Sequence, residues 1–189
     1  MSTEQLNQDI VIVAAKRTPM GGFQGNLSSV ASPMLAATAI KGLLAETQLA
    51  GEHVDEVLMG CVLPAGLGQA PARQATLGAG LPLSVGATTV NKVCGSGMKT
   101  VMLAHDLIKA GSAKVVIAGG MESMSQAPYL LDKARGGMRM GHGKVLDHMF
   151  LDGLEDAYTG GAMGTFAQKT ADEFGITREQ MDAFSSELK

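Results

Sequence analysis

The chain has 189 residues, 46% of them hydrophobic, and a formal net charge of −3. That is enough apolar material for a sizeable core and excludes a disordered class, while so small a negative charge leaves no basic footprint for nucleic acid and no charged run for a membrane surface. Small molecules or other proteins are the expected partners.

The opening residues Met1-Ser2-Thr3-Glu4-Gln5 lack the basic and apolar regions of a secretory signal, so the cytoplasm is the expected compartment. Apolar runs such as Val115-Val116-Ile117-Ala118 fall far short of the ~20 residues of a membrane span. In a reducing compartment the two cysteines, Cys61 and Cys94, are expected to stay free. His53, His105, His142 and His148 show neither Cys-x-x-Cys nor His-x-x-x-His spacing, and no metal site is expected.

Residues 9–15 form a continuous apolar run, which predicts a strand buried on both faces and central in a sheet. A loop follows over 21–26. Ser32-Pro33 then supplies an N-cap and a first-turn proline for a helix to about Thr47, with Leu35, Ala39, Ile40, Leu43 and Leu44 inward. Residues 57–62 read as the next strand, with Cys61 a packing residue. The glycine-rich loop 64–71 precedes a short helix over 72–77, and it fits neither G-x-G-x-x-G nor G-x-x-x-x-G-K-[ST].

The strand at 87–90 runs into Cys94-Gly95-Ser96-Gly97 and at once into a helix. Met98, Val101, Met102, Leu103, Leu107 and Ile108 cover most of that helix's circumference, which predicts a largely buried element. Each glycine in a first turn costs about 1 kcal/mol relative to alanine, and close approach of a ligand is one reason to keep two. A cysteine at a helix start meets unpaired N–H groups and the positive end of the helix dipole, both of which favour a thiolate. Cys94 is therefore a candidate nucleophile, and the same N–H groups are candidate donors to the oxygen of an acyl group on its sulfur. The competing reading is a small apolar core residue. A turn at 110–112 and a strand at 115–118 complete an α/β alternation with a mostly parallel sheet, placing Cys94 along the edge where ligands bind.

From Glu122 the texture changes. Residues 123–161 are methionine-rich and irregular, with a basic run in Lys133, Arg135 and Arg139. So long an insertion is usually a functional lid or disorder, and the apolar Tyr129, Leu130, Leu131, Met149, Phe150 and Leu151 within it argue against disorder. A helix is expected over 162–174. Thr177-Arg178-Glu179-Gln180 is a capping box for another that runs into Lys189.

Asn91-Lys92-Val93-Cys94-Gly95-Ser96-Gly97-Met98, followed after one helix by Gly119-Gly120-Met121-Glu122-Ser123-Met124-Ser125, resembles the nucleophile segment of the thiolases, particularly the acetyl-CoA acetyltransferase type. The segment from Gly66 to Gln74 resembles the one that helps build the thiolase dimer around its active sites. The resemblance implies a thiolase-like layered α/β fold, its N-terminal half only, with a mostly parallel sheet between helices. Residues 1–121 would form the domain bearing the nucleophile, and 122–189 the start of a loop domain that covers coenzyme A. It further implies acylation of Cys94 by acetyl-CoA or a 3-ketoacyl-CoA, in condensation of two acetyl-CoA to acetoacetyl-CoA or the reverse thiolysis. Coenzyme A thioesters are then substrates and no cofactor is permanently bound. Leu154 and Met163 match positions of the coenzyme A pocket, the basic run faces either nucleotide phosphates or solvent, and a homo-oligomer, dimer or tetramer, is expected.

Two departures stand against this. Thiolases carry a second half with a histidine in Gly-His-Pro, an Asn-Glu-Ala-Phe segment and a second cysteine in Cys-x-Gly-Gly, and none of these occurs here. In Gly160-Gly161-Ala162-Met163-Gly164-Thr165, Ala162 replaces the histidine that many relatives place before Met-Gly. The alternative is accordingly a truncated, non-catalytic thiolase fragment or assembly module. A β-ketoacyl synthase shares the fold and the cysteine, but both quoted segments point away from it. A serine hydrolase is weaker still, because Ser96 lacks the G-x-S-x-G frame.

Overall fold

Three parallel strands, β1 (Glu56–Gly60), β2 (Gly86–Val90) and β3 (Val116–Gly120), form a sheet of order β2-β1-β3 in the computed structural model, which describes residues 9–187. The readings that rest on Met1–Gln5 and on Lys189 lie outside the described residues.

β1 is the central strand, and its side chains sort by the period of two. Val57 and Met59 join the core made with Ala36, Ala37 and Ile40 of α1 (Ser32–Thr47) and Ala72 and Ala75 of α2 (Pro71–Gly78). Leu58 and Gly60 point to the opposite face, where α3 (Ser96–Lys109) packs through Thr100 and Ala104. The result is a layer of two helices, a parallel sheet, and a single helix beyond it, as the α/β alternation predicts. Asp55 fastens β3 to the start of β1, and the N–H groups of Val115 and Lys114, at 3.0 and 2.6 Å, hold its carboxyl below the usual value.

Four expectations change. Residues 9–15 form no strand; Val11, Ile12 and Val13 are 70–80% exposed, and the residue after the segment, Lys16, pairs with Glu46 of α1. An apolar run signals a tendency to bury but does not supply the neighbouring strand that pairing needs. α1 is capped at Ala31 without a side-chain hydrogen bond, and Ser32 is buried within the helix with its hydroxyl unpartnered among the described residues. Small residues take the innermost positions of α1, leaving Leu43 and Leu44 at the core's margin. α3 buries only Ser96, Thr100 and Ala104, while Met98, Val101 and Met102 are 43–73% exposed, because one face meets the sheet and no described element covers the other.

The fourth change lies in the insertion. Short antiparallel strands β4 (Tyr129–Leu130) and β5 (Leu146–Asp147) frame an exposed loop, and a π-helical turn spans Phe150–Leu154. The stretch read as irregular is thus partly ordered, and Tyr129, Leu131, Phe150 and Leu151 are substantially exposed on it. The last two helices, α4 (Met163–Glu173) and α5 (Arg178–Glu187), form where the sequence places them. The capping box is made in full, with the Thr177 N–H donating to Gln180 Oε1 at 2.8 Å and the Gln180 N–H to Thr177 Oγ1 at 3.3 Å. Among the described residues no helix is long and apolar enough to cross a membrane.

Candidate active site

The C-terminal ends of β1 and β3 meet the first turn of α3 backbone to backbone. A Cβ on Gly60 would lie 2.6 Å from the Ser96 carbonyl carbon and 2.7 Å from the Gly97 nitrogen, and one on Gly120 would lie 3.3 Å from Gly97 Cα. These glycines seat the helix on the sheet. A Cβ on Gly97 or on Gly95 would meet nothing nearer than 3.5 Å, an ordinary contact, so packing requires the glycine at Gly60 and leaves both helix positions free.

The turn that delivers Cys94 is tightly tied. Asn91 Oδ1 accepts the Val93 N–H at 2.9 Å, and Asn91 Nδ2 donates to the Val62 carbonyl at 3.3 Å. The buried Ser96 hydroxyl accepts the Lys92 N–H at 2.8 Å and donates to the Val93 carbonyl at 2.6 Å. Between them Val93 adopts φ +47°, a left-handed conformation that is a genuine outlier for a β-branched residue. The turn leaves Cys94 exposed, one residue before the α3 cap at Gly95, so the buried-core alternative does not describe it. The helix start is only partly open, because the Gly95 and Ser96 N–H groups donate to Lys92 and Val93 carbonyls at 3.1 and 3.0 Å. Among the described residues the Gly97 and Met98 N–H groups remain without such partners.

Cys94 opens on a cleft of about 430 Å³, whose walls include Val62 and Leu63 after β1, Met121 and Glu122 after β3, and Gly153 and Leu154 of the π-helical turn. Cys94 and Leu154, singled out separately in the sequence, thus share one cleft. Met163 does not line it, standing exposed in the first turn of α4. Cys61 is buried just below, and burial together with the Glu122 carboxylate pushes its thiol up to about 11.

Two residues that shape the cleft went unmarked in the sequence. Glu122 turns its carboxylate back on the Val62 and Leu63 N–H groups at 2.8 and 3.0 Å and so fixes one wall. It was legible only as a member of a motif. His148, 5% exposed, hydrogen-bonds Asp152 four residues on, and that spacing was its only signal. Arg73 and Gln74 serve their own loop, Arg73 donating to the Val85 and Leu83 carbonyls and Gln74 to those of Leu67 and Gln69. Among the described residues no three His, Cys, Asp or Glu side chains gather as metal ligands would.

The family model described as thiolase, N-terminal domain, matches residues 10–187. The acetyl-CoA acetyltransferase of Pseudomonas aeruginosa is 52% identical over 179 residues, 95% of this chain and 46% of that protein. Those of Allochromatium vinosum and Escherichia coli are each 53% identical, over 96% and 93% of this chain and 46% and 45% of their own lengths. The chain spans just under half the length of the curated relatives it matches. With a family model over nearly all its described length and such relatives at just over half identity, the chain belongs to the thiolase family.

Proposed function

We propose that this chain provides the nucleophile half of an acetyl-CoA acetyltransferase, working in the cytoplasm on coenzyme A thioesters within a homo-oligomer. Residues 1–121 carry the nucleophile and 122–189 begin the domain that covers coenzyme A. The observation that carries the reading is the exposure of Cys94 at the helix start, in one cleft with Leu154. Cys94 Sγ gives up its proton and bonds the thioester carbonyl carbon, whose π electrons move on to oxygen. As they return, the bond to the coenzyme A sulfur breaks, and coenzyme A leaves as a thiol carrying the proton. The Gly97 and Met98 N–H groups are the donors left at the helix start for the transient oxyanion. Leu154 offers an apolar wall to the acyl or pantetheine chain, and Met163 a contact further along it.

A non-catalytic module is the second reading, and one observation favours it. The two histidines with side-chain partners are engaged elsewhere, His105 with Asp106 at 3.3 Å and His148 with Asp152 at 2.5 Å, and among the described residues none bonds Cys94 Sγ. A positioned acid or base is worth ~10²- to 10⁴-fold in rate, so acylation by this chain alone is slow and condensation falls below detection. Mass spectrometry after incubation with acetyl-CoA is expected to find acetyl on the Cys94 peptide, absent in Cys94→Ala. Acetyl on Cys61 alone, or on neither thiol, refutes the nucleophile assignment, and brisk acetoacetyl-CoA cleavage by the chain alone refutes the second reading.

A further inference from the structure

His148 is a buried polar side chain that the acyl-transfer chemistry does not use. It sits where three segments meet. Its Nδ1 is 2.5 Å from Asp152 Oδ2, its Nε2 is 3.4 Å from the Ala65 nitrogen, and its own N–H donates to the Pro128 carbonyl at 3.2 Å. Ala65 closely follows Val62 and Leu63 of one cleft wall, and Asp152 immediately precedes Gly153 and Leu154 of the other. The walls stand close, since a Cβ added to Gly153 would lie 3.4 Å from Leu63 Cδ2. The turn itself, Phe150–Leu154, is π-helical, a rare geometry that recurs at functional sites.

A backbone N–H only donates, so the ring nitrogen facing Ala65 must be bare, and the proton must then sit on the nitrogen facing the carboxylate. We propose that His148, as the Nδ1–H tautomer, is the positioning residue of the cleft: it ties the 62–65 segment to the π-helical turn and so sets the gap that admits a chain to Cys94. Asp152 fixes the tautomer. The acceptor at Nε2 makes the tie, because His148 and the turn are already joined through the backbone. This role belongs to the shape of the cleft and holds whether or not Cys94 carries an acyl group.

Two substitutions separate the ring nitrogens. In His148→Asn a nitrogen stands near Nδ1 and nothing stands at Nε2, whereas in His148→Gln an acceptor stands near Nε2. Hydrogen exchange read on peptides spanning Ala65 is expected to be about tenfold faster in H148N and close to the parent in H148Q, the size of effect one lost hydrogen bond gives. The rate of Cys94 alkylation by a bulky maleimide, divided by that for iodoacetamide to cancel the thiol's own reactivity, is expected to change in H148N only. Equal behaviour of the two variants, in either direction, overturns the proposal. Should H148N also lose protection across β1, the decision passes to the unsubstituted chain: ring nitrogen-15 shifts showing a proton on Nδ1 and none on Nε2 uphold it, and any other protonation state overturns it.

Discussion

The Cys61 thiol lies just past the end of β1 with a Glu122 carboxylate oxygen 3.6 Å away, and burial with that charge raises it to about 11. Cys94 is exposed on its turn. Limiting iodoacetamide at neutral pH is expected to label Cys94 in large excess, with Cys61 joining only as the pH nears about 11 or the chain unfolds. Preferential labelling of Cys61 in the folded chain would remove Cys94 from the site. Cys94 was legible because a helix start and a motif coincide there, and Cys61 because it falls within an apolar run read as a strand. The left-handed Val93 and the inward Glu122 were not. Each is set by contacts from residues far along the chain, Asn91 being anchored on Val62 and Glu122 reaching back to Leu63.

Elements follow the local pattern where the pattern carries its own partner. α3, α4 and the Thr177 capping box are all defined within a few residues, and they form close to where expected. The strand read at 9–15 needs a pairing edge that no local signal supplies, and the insertion's apolar residues likewise had no designated counterface. The seat of α3 allows a paired test. Gly60→Ala forces a Cβ into the Ser96 backbone and is expected to cost about 1–3 kcal/mol in urea unfolding, whereas Gly95→Ala, whose Cβ would meet only the Lys92 carbonyl at an ordinary 3.5 Å, stays within about 0.5 kcal/mol of the parent. Equal losses at both positions would mean that the helix does not rest on the strand end as described.

At the scale of the molecule, pattern and packing also part on the outer side of α3. Met98, Val101 and Met102 belong to a helix patterned for burial all round, yet they stand exposed, and a monomer tolerates no more than a few hundred Å² of such surface. The chain on its own is expected to self-associate and to bind a hydrophobic dye. Met98→Lys with Met102→Lys is expected to shift its sedimentation toward the monomer. A dye-silent monomeric parent would show that the face is harmless as it stands. Beneath that helix, at Gly60, Gly97 and Gly120, no side chain stands between helix and sheet. A joint of that kind has no χ angle to turn and hence no compliance. A displacement of the helix end bears directly on the backbone of β1 and β3, which makes the sheet a mechanical reference for the position of the Cys94 sulfur.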